Sequence, residues 1–173
     1  MNIIFFILFA LPLSAKMLIL PLDAMKNAYP NSTEIVKKNI VLSKQNASTI
    51  AKEAKTKLPS KIFRVFKAYK NEELLAYGIL LSKKVRSKNA VVLYIISKDS
   101  LLKSIEIIAF NEPAEYIPSA RWNSQFKDIP TITMLRTSKE IANITGATLS
   151  AKSITDGSRL AFAFYNNILK GKE

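Results

Sequence analysis

Cysteine and histidine are both absent from the sequence. Without thiols there is no disulfide, no nucleophilic cysteine and no CxxCH haem attachment. Without imidazole there is no histidine base, and the common zinc sites cannot be assembled. Glycine is scarce too, with four residues in 173, and none falls in the G-x-G-x-x-G fingerprint of nicotinamide-binding loops. Hard chemistry must therefore come from carboxylates, hydroxyls, lysines or a bound cofactor. Acidic residues are outnumbered two to one, 13 against 26 Lys and Arg, for a formal charge of +13. The excess is uneven: Lys37 to Lys70 is strongly basic with Glu53 as its single acid, and "KKVRSK" (Lys83 to Lys88) forms a second run. Such a field attracts anions or simply makes a solvated basic face. No nucleic-acid motif accompanies it, so nucleic acid is not an expected partner.

Long apolar runs are also missing, with one exception at the start. Residues 1–15, "MNIIFFILFALPLSA", carry no charge. An apolar stretch from Ile3 to Leu11, then Pro12 and the small Ser14 and Ala15, has the layout of a secretory signal peptide cleaved after Ala15. Pro12 and Lys16 interrupt the run short of the ~20 residues a membrane span needs. The expected location is periplasmic or otherwise extracytoplasmic, with membrane association left open. Three matches to the N-glycosylation pattern, at Asn31, Asn46 and Asn143, are short enough to arise by chance.

With 49% apolar residues, the remainder reads as one folded domain. A short helix is expected within Leu20 to Pro30, then an extended segment "TEIVKKNIVLS". Asn46 is a candidate N-cap for "ASTIAKEAKTKL", a helix closed by Pro59. Four strand-like runs follow: "KIFRVFKAY" and "ELLAYGILLS" as a hairpin, the β-branched "AVVLYIIS", and "LLKSIEIIAF". An irregular segment holds two prolines and the single tryptophan, with Trp122 and Phe126 expected in the core of a short helix. A final helix is expected from Ser150 to about Leu169, with Ile154, Ala161, Phe162, Tyr165, Ile168 and Leu169 on its buried face. The expected class is α+β: a mostly antiparallel twisted sheet of four or five strands, one face covered by helices. The divisions are 1–15 leader, 16–35 N-terminal helical segment and 36–173 main domain.

The chemistry concentrates just before the last helix, in "ITGATLS" (Ile144 to Ser150). Gly146 permits a positive φ or a close backbone approach. The helix that follows presents unbonded N–H groups and the positive end of its dipole, both of which favour phosphate. Lys152 lies in its first turn. A turn followed by a cap is the ordinary reading of such residues taken alone.

The wider stretch "ITGATLSAKSITDG" resembles the S/T-G-A-T-x-T/S motif of the FMN-binding domain family. That family includes the flavin-carrying subunits of sodium-pumping NADH:quinone reductases and of Rnf-type electron-transfer complexes. Upstream, "VRSKNAVVLYIIS" and "LLKSIEIIAFNEPAEYIPSARWNSQF" are similar to small exported bacterial members, with an E-P-x-E-Y-x-P segment followed by R-W-x-x-Q-F. The similarity runs roughly from Val36 to the end. It implies an electron carrier whose FMN is joined through its phosphate to Thr148 by a flavin transferase. Thr145, Gly146, Ala147, Leu149 and Ser150 would surround that link, and Glu112, Pro113 and Tyr116 would lie beside the flavin. Arg86 and Arg121 would balance negative charge or face water. Redox proteins are the implied partners. Two positions depart from the pattern: Ala142 stands where aspartate is usual, with Asn143 beside it, and Ser150 where threonine is common. Two alternatives remain: a non-covalent FMN-dependent reductase, and a basic exported module for an anionic surface or polymer.

Overall fold

The computed structural model describes residues 17–172; the expected leader, residues 1–15, lies outside them. The fold is α+β. Six strands form one antiparallel sheet in sequence order: β1 (Glu34–Val41), β2 (Ile62–Lys70), β3 (Glu73–Lys84), β4 (Asn89–Ser97), β5 (Leu101–Phe110) and β6 (Ile129–Pro130). The β2–β3 hairpin turns on Asn71 and Glu72, both at positive φ, as a two-residue turn between twisted strands requires. The expected four or five strands become six because β6 has two residues, too few to leave any alternation in the sequence.

Helices cover both faces of the sheet, not one. Helix α1 (Pro21–Ala28), within the stretch expected to be helical, has proline in its first turn, where the missing N–H costs nothing. It buries Ala24 and Met25 against Phe66, Ala68, Leu93 and Ile108. Gly78 admits Met25: a Cβ there would lie 3.1 Å from Leu93 Cδ1 and still nearer Met25 Sδ. Cover on two faces explains why β4 reads as an unbroken apolar run rather than an alternating one.

On the opposite face lie α2 (Lys44–Ala54) and α4 (Thr148–Phe164). Helix α2 starts earlier than expected. Its N-cap is Ser43, whose hydroxyl accepts the Asn46 N–H at 3.1 Å, so Asn46 supplies a donor and not the cap. The helix also ends well before Pro59, at Lys55, which is left-handed with φ 50°. Its N–H is taken by the Ala51 and Lys52 carbonyls, a closure that needs no proline.

Helix α4 begins at Thr148, two residues ahead of the expected Ser150, and runs into a wider π turn over Tyr165–Leu169. It is buried nearly all round: from Ser150 to Phe164 only Lys152 is exposed and only Arg159 is intermediate. Phe164 stacks on Phe63 of β2 with centroids 4.1 Å apart. Tyr94 of β4 donates its hydroxyl to the Ile154 carbonyl at 3.1 Å. Inside the helix, Asp156 pairs with Arg159 at 2.6 Å. Arg159 also donates to the carbonyls of Ala54 (2.7 Å) and Leu135 (2.8 Å), so the buried charge is well supplied with hydrogen bonds. Among the described residues no helix is long and apolar enough to cross a membrane.

Candidate functional site

The N-terminus of α4 opens into a cleft of about 220 Å³, lined by Gly146 to Ser150, Val85, Arg86, Glu112 and Tyr116. Gly146 sits at φ +79°, with nothing within 4 Å of the position a Cβ would take. Positive φ is thus its reason for being glycine. The N-cap, Ala147, has no side chain able to cap the helix. The N–H groups of Thr148 and Leu149 consequently find no acceptor among the described residues. They point outward with the positive end of the longest helix in the fold.

Three side chains follow on that first turn. Thr148 is exposed, and among the described residues the one group reaching its Oγ1 is the Asn143 amide, at a long 3.5 Å. Leu149 is half exposed. Ser150 is the reverse case: 1% exposed, it lines the cleft, and its hydroxyl has no hydrogen-bond partner among the described residues. A buried hydroxyl with no partner costs about 1–3 kcal/mol of desolvation. Ser104, Asn111 and Asn123 share that state among the described residues, and Ser150 is the one of the four that lines this cleft.

The facing wall comes from the β3–β4 hairpin tip and the chain leaving β5. Glu112 Oε1 accepts three successive backbone N–H groups, from Arg86 (3.0 Å), Ser87 (2.6 Å) and Lys88 (2.7 Å). The Ser87 hydroxyl adds a contact at 3.2 Å to Oε2. These bonds, led by the Lys88 N–H and opposed by desolvation, hold the carboxyl down at about 2. Glu112 therefore lines the cleft, but its charge is committed to folding the hairpin tip. That contact left no trace in the sequence, because its partners are backbone groups some 25 residues away. The clamp places Arg86, exposed, on the lip opposite α4.

Tyr116 is half-buried, in a single 3-10 turn (Ala114–Tyr116) entered from Pro113. Pro113 and Thr145 are both exposed and neighbour the cleft without lining it. Arg121 is exposed and stands outside the lining. Lys152 turns to Asp156 at 3.2 Å and is not among the lining residues either. Trp122 and Phe126 are buried and meet edge to face at 5.2 Å, the core role expected of them. They belong to α3 (Ala120–Asn123) and the turn after it. A larger hollow of about 500 Å³ lies over the β1–β4 end of the sheet, between Asn39, Ile62, Arg64, Leu80 and Val91. It contains no orphaned buried polar atom among the described residues, so size alone distinguishes it.

No family model matches the chain. It is similar to one of the subunits of the Na⁺-translocating ferredoxin:NAD⁺ oxidoreductase complex of Acetobacterium woodii, with 28% identity over 137 residues. The match covers 73% of this chain and 66% of that relative, just under two thirds of the relative's length. Similarity to a component of an electron-transferring complex agrees, at the level of the family, with the resemblance carried by "ITGATLS".

Proposed function

We propose that the protein is an exported electron-transfer flavoprotein whose FMN is seated by its phosphate on the N-terminus of α4 and esterified to Thr148. The observation that carries this reading is the orphaned, buried hydroxyl of Ser150 inside the cleft built by the motif. Around it stand the unbonded N–H groups of Thr148 and Leu149. Together they make a donor set for phosphate oxygens: two amides, one hydroxyl, the helix dipole and the Arg86 cation.

Thr148 is chemically suited to modification because its hydroxyl is exposed and only weakly held. Esterification by a flavin transferase would use a flavin donor activated as a nucleotide phosphoanhydride. The threonine oxygen bonds to the flavin phosphorus, the phosphoanhydride P–O bond breaks, and the nucleoside monophosphate leaves. The hydroxyl proton passes to solvent, so no strong contact of Thr148 is lost. The cleft is smaller than the ~300 Å³ at which small-molecule pockets usually begin. It therefore suits the phosphate end of FMN, with Tyr116 offering an aromatic surface beside it. Bound flavin would supply one- and two-electron chemistry. The chain's own tasks are to hold the anion, fix the tether and present a basic surface to acidic redox proteins. A tether makes physical sense outside the cytoplasm, where lost cofactor is not readily replaced.

The test is co-expression of the chain with a flavin transferase, followed by denaturation, intact mass and visible spectrum. An FMN-phosphate adduct that disappears in Thr148→Ala is expected. Flavin that binds but is released on denaturation would instead identify a non-covalent carrier, in keeping with Ala142 at the usual aspartate position. A colourless, unmodified protein with no affinity for free FMN would overturn the reading.

A further inference from the structure

The loop that delivers Thr148 has little of its own to hold it. Within Asn143 to Ala147 the hydrogen bonds are local: Ile144 N–H to Asn143 Oδ1 at 2.9 Å and Ala147 N–H to the Ile144 carbonyl at 3.0 Å. Ile144 contributes a partly buried side chain. Glycine at positive φ and an uncapped helix start add no restraint of their own. The fixed point lies one residue upstream. There the Ala142 N–H donates to Gln125 Oε1 at 2.8 Å, and Trp122 Nε1–H donates to the Ala142 carbonyl at 2.7 Å. Both polar groups of one residue's backbone are thus gripped by side chains 17 and 20 residues away.

The grip is itself braced. The Ser119 hydroxyl caps the short helix by accepting the Trp122 N–H at 3.2 Å, and the Trp122 ring is wedged against the fully buried Phe126. Gln125 Nε2 donates to the Trp122 carbonyl at 3.0 Å. Only one orientation of that amide satisfies the carbonyl with N–H₂ and the Ala142 N–H with oxygen, so the side chain is locked. The spacing Trp-x-x-Gln brings both groups to one side of a single turn. The Ala142 methyl, by contrast, is exposed and takes no part.

We propose that Trp122 and Gln125 are positioning residues for the attachment loop: a two-point clasp on the Ala142 backbone that holds Thr148 at the cleft. The assignment of Thr148 as the attachment point rests on the flavin reading above; the clasp rests on the hydrogen bonds. It gives the R-W-x-x-Q-F segment a task at a site whose lining it never joins. It also explains why alanine suffices at 142, since only the backbone is held.

The test compares Gln125→Met and Trp122→Phe, which remove one grip each while keeping size or ring, with Ile50→Val, a mild core variant in α2 outside the cleft lining. Hydrogen–deuterium exchange of the protein without flavin, free-FMN titration and melting temperature are measured on each. Both clasp variants should speed exchange across 143–149 and weaken FMN binding at least tenfold, with exchange in β4 unchanged. Ile50→Val should melt lower yet leave both loop exchange and FMN binding unaltered. If loop exchange is unchanged in Gln125→Met and Trp122→Phe alike, the clasp is wrong. If the parent protein binds no FMN, the flavin reading falls and the exchange comparison alone decides the clasp. Should Trp122→Phe fail to fold, Gln125→Met carries the comparison.

Discussion

Ser150 offers a test in which stability and binding should move in opposite directions. Its hydroxyl is almost completely enclosed yet unbonded among the described residues, so in the unliganded protein it is a net cost of about 1–3 kcal/mol. Ser150→Ala removes that cost and adds a few tenths of a kcal/mol of helix propensity. It gives up the packing of one oxygen atom and leaves a void too small to matter much. The balance is a gain of about 1 kcal/mol, a rise of about 2–4 °C in melting temperature for a domain of this size. FMN binding should suffer. A hydroxyl donating to a charged phosphate contributes about 1.5–3 kcal/mol, and its loss weakens affinity roughly ten- to a hundredfold. The assay is a thermal melt of protein made without flavin transferase, paired with titration of free FMN by flavin fluorescence. A variant that melts lower than its parent and binds FMN equally well would refute the reasoning. The hydroxyl would then have a structural partner and no role toward the ligand.

Gly157→Ala sets two effects against each other in the middle of α4. Alanine gains about 1 kcal/mol of helix propensity over glycine. The new Cβ, however, would lie 2.8 Å from Tyr94 Cζ and closer still to its hydroxyl. Overpacking of that kind costs about 1–3 kcal/mol, and the Tyr94–Ile154 hydrogen bond is displaced as well. Chemical denaturation should therefore show a net loss of about 1–3 kcal/mol; an unchanged midpoint would mean that Tyr94 does not pin the helix. Glu112 gives a pH signature. Its folded-state value of about 2 lies below the ordinary 4.5, so its contribution is complete above about pH 4.5 and is lost as pH falls toward 2. Glu112→Gln should melt below the parent at neutral pH, with the gap closing across that window in paired melts; a constant gap would assign the effect to shape and not to charge.

The sheet was legible because its inner strands are runs rich in apolar residues, β-branched above all in β4, bounded by turn residues, and each lies beside its sequence neighbour. What the sequence hid were choices between equally competent local groups. Ser43 and Asn46 can both cap a helix, and which one does depends on where α2 meets the sheet. Lys55 in the left-handed region ended α2 before Pro59 had any say. The second covered face followed from α1 folding back over the sheet, a matter of tertiary packing that periodicity does not report. At the site, "ITGATLS" was readable as a local pattern: the glycine, the threonine and the helix start all lie within seven residues. The supports were not. Glu112 grips backbone, and Trp122 and Gln125 grip backbone, and a peptide group looks the same at every position in a sequence.

The order in which the pieces arrive during synthesis bears on when such a site can exist. Each strand pairs with the one made before it, so the sheet can be laid down progressively from its N-terminal side. Helix α4 follows all six strands in the chain, and it packs in the larger core with Phe63, Ile79 and Tyr94. The residues of one wall of the cleft, the hairpin tip and Glu112, are therefore synthesised before those of the other. The turn that carries Thr148 lies between the clasp at Ala142 and α4, so it reaches its place once both have formed. A maturation enzyme that recognised the assembled cleft would thus act on finished molecules alone, and modification would double as a record that folding was complete.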